Sequence, residues 1–280
     1  MISISLPSPA KLNLFLHILD RREDGYHNLQ TLFQLLDYGD QLSFSINKQP
    51  EINVISDLKD VKPQDNLVFK AARALQQTTN CSWGCEIQLA KKIPMGAGLG
   101  GGSSNAATTL VGLNSLWQCN LSHDQLAEIG SDLGADIPVF VKGLSAFAEG
   151  IGDKLTPISL NPIWYLVITP KIKVSTEQIF CHSELTRNAP AIKIRALSEE
   201  LYRNDCQSVV ETLYPEVKQV SDWLKRYGNP LMTGTGASVY CRFDSQQEAK
   251  KAQQTVPNSW SSFVAKGINQ SPLHKQLENL

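Results

Sequence analysis

The 280-residue chain has almost no net charge: 26 basic against 27 acidic side chains leave −1. It therefore lacks the positive footprint with which proteins hold nucleic acid, and no basic run is interleaved with aromatic residues. Long apolar runs are missing too. Leu12–Leu19, broken by Asn13 and His17, is too short to span a bilayer and has neither the charged start nor the cleavage site of an export signal. Cysteine occurs six times but is scattered; only Cys81 and Cys85 stand close, and no second pair or histidine group completes a zinc site. Reduced, mostly buried thiols in a cytoplasmic protein are expected. There is no tandem repeat, low-complexity segment or Pro/Ser linker, and nothing points to an obligate protein partner. What remains is an ordinary globular composition, 42% hydrophobic and 8% aromatic, long enough for one large domain or two moderate ones.

Against this background Pro94–Ala107, PMGAGLGGGSSNAA, stands out. Glycine fills every position from 96 to 102 except Ala97 and Leu99, two serines follow, and apolar residues then recur at helical spacing in Ala106, Leu110, Leu113 and Trp117. Glycine admits positive φ and lets a ligand approach the main chain, while a helix starting beside the loop offers unpaired N–H groups and the positive end of its dipole. Together these make an anion site, most often one for phosphate. A Walker A loop would need Gly-Lys, which occurs nowhere. A protein-kinase loop would need His-Arg-Asp and Asp-Phe-Gly, which are absent. Gly96-x-Gly98-x-x-Gly101 fits the dinucleotide fingerprint only because the window is saturated with glycine, and it comes too late for a first βαβ unit. A flexible linker is the bland alternative, opposed by the helical periodicity that follows.

Strand-like alternation appears in Ile2–Leu6, Leu12–Leu19, Gln30–Leu36, Gln41–Ile46 and Cys85–Ile93, and later in Trp164–Thr169, Ala237–Phe243 and Ser262–Ala265. Helices are expected over Asn66–Gln77, after a Ser122/Gln125 capping box over Asp124–Leu133, after Ser175/Gln178 over Thr176–His182, and from Pro215. Strands and helices do not alternate strictly, which predicts an α+β fold. The candidate boundary is the turn-rich stretch Gly150–Pro162, giving halves 1–155 and 156–280.

Three motifs in this order, Pro9-Ala10-Lys11-Leu12-Asn13-Leu14, the glycine loop, and Leu231-Met232-Thr233-Gly234-Thr235-Gly236-Ala237-Ser238, resemble the GHMP small-molecule kinases. Asp20–His27, the extra glycine in Gly100-Gly101-Gly102-Ser103-Ser104-Asn105, and Gly134-Ala135-Asp136-Ile137-Pro138 narrow the likeness to the branch acting on a cytidine diphosphate ester of methylerythritol. The galactokinase N-terminal signature is absent. Mevalonate, phosphomevalonate or homoserine kinase, or a non-catalytic nucleotide-binding relative, are the alternatives.

The resemblance implies a GHMP-kinase fold, two α+β halves with ATP and a small-molecule substrate meeting in the cleft. It implies Asp136 as proton acceptor and Lys11 as its orienting cation. Asn66 and Leu67 would line the adenine pocket; Pro94, Met95, Gly96, Ala97, Gly98, Leu99, Gly100, Gly101, Gly102, Ser103, Ser104 and Asn105 would surround the phosphates, joined by Gly234, Thr235 and Gly236. Tyr26 and Phe180 would sandwich the base, His27 would read its edge, and Asn13 and Thr176 would hold polar groups of the substrate. Mg2+ would be held mainly through ATP phosphates and water, with Ser104 as the candidate side chain. Read without the resemblance, Asp136 is a helix N-cap, Lys11 a solvated charge, Tyr26-His27 a turn, Phe180 a core residue, and Gly234–Ser238 a tight hairpin.

Overall fold

A computed structural model describes residues 3–57 and 62–278. Two long strands open it, β1 (Ser3–Arg21) and β2 (His27–Asn47), followed by β3 (Ile52–Ser56), helix α1 (Leu67–Thr79) and β4 (Gly84–Ala90). Helices α2 (Gly101–Leu116), α3 (His123–Ser131) and α4 (Ile137–Lys142) come next, then β5 (Ala146–Glu149), β6 (Lys154–Pro157) and β7 (Trp164–Thr169). The rest is α5 (Thr176–Cys181), α6 (Gln207–Leu213), α7 (Pro215–Leu224), β8 (Leu231–Met232), β9 (Val239–Phe243), α8 (Gln246–Gln253), β10 (Ser261–Ile268) and α9 (Pro272–Leu277).

All ten of these strands join one sheet, with the path β3-β4-β2-β10-β7-β9-β8. Only β3 and β4 run parallel; every other strand pair is antiparallel. The seam between the early and late strands is narrow: β10 meets β2 at Gly267↔Leu36 and Ile268↔Leu35, then runs along β7 for its remaining length.

Four of the expected strands are really two. Pro7 and Pro9 interrupt the alternation that separates Ile2–Leu6 from Leu12–Leu19, yet β1 runs through both. It pairs with β2 alone among the strands, so the missing proline N–H groups break no second ladder. β1 bulges between Pro9 and Lys11, between Asn13 and Leu16, and between Ile18 and Asp20. The first bulge turns Lys11 N–H away from β2, and it donates to the Leu99 carbonyl at 3.0 Å. The strand edge is thereby tied to the glycine loop.

Helix starts follow the capping signals. Ser122 and Gln125 form the reciprocal capping box of α3, Ser175 accepts from Gln178 N–H ahead of α5, and Pro215 occupies the first turn of α7. Helix α2 is buried along most of its length and packs on α1, α4 and β1, sharing a core with Leu6, Phe44, Leu75 and Ile87. A second core joins Ile168 and Val239 on the late strands to Val210 of α6 and Val220 of α7. Between them Leu12, Phe15, Leu36, Tyr165 and Tyr240 fill the seam, and Tyr240 Oη donates to the Asn13 carbonyl at 3.2 Å.

Candidate active site

Two cavities of about 350 and 420 Å3 lie on either side of the glycine loop and share Gly96, Gly98, Gly100, Ser103 and Thr176 as walls. Lys11, Asp136, Phe180 and Gly234 line the first; Asn66, Leu67, Lys91, Pro94 and Met95 line the second.

The loop is shaped by close approach. Gly98 has φ +73°, and a Cβ there would stand 2.1 Å from the Thr233 carbonyl oxygen. Gly100, at φ +70°, precedes α2 without a side-chain cap, and a Cβ would press on the Phe140 ring at 2.7 Å. The second glycine motif is bonded to the first: Ser238 N–H donates to Ala97 O at 3.2 Å, Thr233 Oγ1 reaches Gly98 O at 3.1 Å, and Asn13 N–H donates to Thr233 Oγ1 at 2.9 Å. Gly234, Thr235 and Gly236 line the first cavity rather than the second. The hairpin reading of this motif also holds, since Thr233 N–H donates to Ser238 O at 3.0 Å.

Lys11 is 2% exposed, and its ammonium lies 3.2 Å from Asp136 Oδ2, 2.5 Å from Asn13 Oδ1 and 5.3 Å from the centre of the Phe33 ring. Asp136 occupies the N-cap position of α4 but makes no capping hydrogen bond, and its backbone is already helical at φ −83°, ψ −8°. A capping side chain needs an extended backbone to turn back on the helix N–H groups. The carboxylate faces Lys11 instead, with its side chain 34% exposed. A buried cation therefore fixes one oxygen of a carboxylate that solvent or ligand can still reach. Asn13, in the wall of the first cavity, is held from both ends: its Oδ1 accepts from Lys11 and its Nδ2 donates to Thr31 Oγ1 at 2.8 Å.

The remaining expected residues fall into groups. Asn66 caps α1 by accepting from Val68 N–H at 3.0 Å. Ala97 and Leu99 are buried and contribute backbone; Gly101 and Gly102 open α2 beside Leu67. Ser103 borders both cavities, whereas Ser104 is fully buried and accepts from Ser8 Oγ at 2.9 Å. Thr176, which borders both cavities, has its Oγ1 2.9 Å from Thr235 Oγ1. Phe180 lines the first cavity, and its stacking neighbour is His27, ring centres 5.2 Å apart and 28° inclined. Tyr26 is 60% exposed and lines neither cavity, so the expected sandwich is open on that side. Burial, aided by the charges of Arg187 and Arg21, holds His27 below the usual histidine range, with Asp20 opposing.

Several residues went unnoticed in the sequence. Asp40 Oδ1 accepts the N–H groups of Lys92 and Ile93 at 2.6 and 2.8 Å, and its Oδ2 takes the Lys91 ammonium and Asn105 Nδ2. Asn105 and Lys91 thus turn toward a buried carboxylate at the entrance of the loop. In the sequence Asp40 follows Tyr38-Gly39 and reads as part of a turn. Asp40→Asn places a donor against donors and should cost about 3 kcal/mol, the scale for breaking a buried ion pair. Urea unfolding with ATP titration checks this; an unchanged midpoint refutes it. Asn204, donating to Met232 O and Gly234 O at 2.7 Å each, holds the second motif, and no pattern in the sequence marked it.

Comparisons with known proteins bear on the fold and the family. Residues 66–144 match the GHMP kinases N terminal domain and residues 186–262 the GHMP kinases C terminal family. The chain is 54% identical to the 4-diphosphocytidyl-2-C-methyl-D-erythritol kinase of Marinobacter nauticus over 99% of its own length and 98% of the relative's. It is 50% identical to the Pseudomonas aeruginosa protein of the same name, over 100% and 99%. A crystal structure of 4-(cytidine 5'-diphospho)-2C-methyl-D-erythritol kinase superposes with a TM-score of 0.82 at 29% identity, covering 94% of this chain and 99% of that one. Homoserine kinase from Cytophaga hutchinsonii, at 17% identity and a TM-score of 0.69 over 96% of each chain, shares the fold. Two domain matches in the expected order and relatives alike from end to end lead to one assignment: the chain belongs to the GHMP kinases and, among them, to the family of 4-diphosphocytidyl-2-C-methyl-D-erythritol kinases.

Proposed function

We propose that the chain moves the γ-phosphoryl group of ATP to the 2-hydroxyl of 4-diphosphocytidyl-2-C-methyl-D-erythritol, in the cytoplasm, on the non-mevalonate route to isoprenoid precursors. The observation that carries the reading is the Lys11–Asp136 pair at 3.2 Å, lining one of two cavities that a glycine loop separates. ATP would lie with adenine near Asn66 and Leu67 and its phosphates along the loop; the acceptor would fill the other cavity.

The acceptor hydroxyl oxygen attacks the γ-phosphorus, the bond to the bridging oxygen of ADP breaks, and Asp136 takes the hydroxyl proton. Such transfers pass through a loose transition state, so aim and charge matter more than a strong base. Lys11 keeps the carboxylate aimed and faces the charge growing on the transferred group. The N–H groups opening α2 and the positive end of its dipole meet the phosphates.

The residues present suit Mg2+ held chiefly by phosphate oxygens and water, since it dehydrates reluctantly and a hydroxyl at the wall of both cavities is donor enough beside them. Ser103, facing both cavities, would be its side-chain ligand in place of Ser104, whose hydroxyl is engaged by Ser8. When bound, the ion would neutralise charge on the β- and γ-phosphates.

Phe180 and His27 would meet the cytosine end, with Tyr26 completing the stack once a base is present. A coupled assay of ADP release, offering the cytidine substrate beside mevalonate and homoserine, tests the whole reading. Turnover is expected with the first alone, and Phe180→Ala should raise its KM by about 10- to 100-fold through lost stacking. Turnover of mevalonate or homoserine at a comparable kcat/KM would overturn the substrate.

A further inference from the structure

Arg187 lies in the irregular segment after α5, outside every motif of the sequence, yet four of its five guanidinium N–H groups are engaged around His27 and the end of α5. Nη2 donates to the carbonyls of Phe180 and His182 at 2.8 Å each, Nη1 donates to Leu185 O at 3.1 Å, and Nε donates to His27 Nε2 at 3.0 Å. Guanidinium has only donors. Nε2 of His27 must therefore present its lone pair, and a neutral imidazole arranged this way carries its proton on Nδ1. A doubly protonated ring would set N–H against N–H at the Arg187 contact. Among the described residues Nδ1 has no hydrogen-bond partner, and the ring rests on Phe180, which lines the cavity.

We propose that Arg187 is a positioning residue that fixes the His27 tautomer and so selects cytosine over uracil. The inference rests on the reading that His27 meets the base edge. Cytosine N3 is a hydrogen-bond acceptor, whereas uracil N3 carries a hydrogen. A histidine that meets the base with a proton on Nδ1 complements the first and confronts the second donor to donor. The same ring with its proton on Nε2 would complement uracil. One donor-only contact on the far side of the ring thus decides which pyrimidine the near side accepts. Arg187 also holds the carbonyls of Phe180 in α5, of His182 at its C-cap and of Leu185 in the segment beyond, so Phe180 and His27 are set by one side chain.

The test pairs Arg187→Lys with Arg187→Gln. Both can still donate to the carbonyls that end α5, but only glutamine can also accept from Nε2–H and release the tautomer. Two readouts are taken: kcat/KM for the cytidine substrate and its uridine analogue, and 15N shifts of the His27 ring nitrogens. Wild type should show the proton on Nδ1 and a strong cytidine preference, and Arg187→Lys should keep both. Arg187→Gln should populate the Nε2–H form and lower the cytidine-to-uridine ratio by about 10-fold or more, the scale of a mispaired buried hydrogen bond. A wild-type proton on Nε2, an Arg187→Gln enzyme with the wild-type ratio, or a lysine variant that loses discrimination alongside glutamine would each overturn the proposal while leaving base reading by His27 intact. If wild type does not discriminate, or His27→Ala leaves the ratio unchanged, the base reading itself fails and the proposal falls with it.

Discussion

Asp136→Asn should lower kcat by at least about 100-fold, the usual scale for a positioned proton acceptor, while leaving ATP affinity and thermal stability close to wild type. The stability half of this expectation comes from the structure. A capping Asp would destabilise its helix on replacement. Asp136, however, makes no capping bond; its carboxylate faces Lys11 at 3.2 Å and is partly open to the acceptor cavity. Asparagine keeps the shape and still offers Lys11 an amide oxygen beside that of Asn13 at 2.5 Å, and Asp136, unlike Asp40, is partly solvated, so what is lost is the charge and the capacity to take a proton. Lys11→Ala should lose turnover on the same scale but destabilise as well, because it empties a buried space beside Phe33 and Gly100. Lys11→Met, which fills that space, separates the two effects. Steady-state kinetics, calorimetric ATP titration and thermal melting of the three variants make the measurement. Near-normal turnover in Asp136→Asn would remove Asp136 from the chemistry.

Gly98→Val should abolish measurable ATP binding and lower stability together. Positive φ at a branched residue costs about 1–3 kcal/mol by itself. Here the Cβ would also stand 2.1 Å from the Thr233 carbonyl oxygen, a backbone atom that no rotamer change can move. The two glycine motifs would have to separate, taking with them the Ser238–Ala97 and Thr233–Gly98 bonds that hold the loop between the cavities. Gly96→Ala is the control: its φ is +61°, but a Cβ would meet nothing within 4 Å. It should show the strain alone and retain weakened ATP binding. Calorimetry on both variants decides the matter; equal losses would mean that loop conformation, rather than contact with the second motif, governs nucleotide binding.

Much of this site was legible because its chemistry is local. The glycine loop, the helix behind it, the capping box of α3 and the proline start of α7 each depend on neighbours within a few residues. Their patterns survive in one dimension. Lys11 and Asp136 were reachable only through the likeness of whole motifs to a family; read alone, one is a strand-edge lysine and the other a helix cap. The strands β1 and β2 were each read as two, since prolines and a Tyr-Gly-Asp stretch imitate turns where a bulged edge strand and its partner run on. Tyr26 and Phe180 are expected on opposite faces of a base; Asp24 Oδ1 accepts the Tyr26 N–H at 3.0 Å and the Tyr26 ring lies exposed, while the ring stacked on Phe180 is His27.

The sequence by itself determined the class of fold, the glycine loop and its helix, and the order of motifs that marks the family, because glycine conformation, capping and apolar period are properties of short segments. Only the tertiary structure decided which side of the loop each motif serves. It also decided that Asp136 points at Lys11 rather than back onto its helix, and that Asp40, Asn204 and Arg187 hold the site from outside its motifs. These are contacts between residues far apart in the chain. Asp40 meets Ile93, Asn204 meets Gly234 and Arg187 meets His27 only after the sheet has closed. A buried polar group takes its partner from whatever donor or acceptor the fold brings within about 3 Å, and no local pattern records which one that will be.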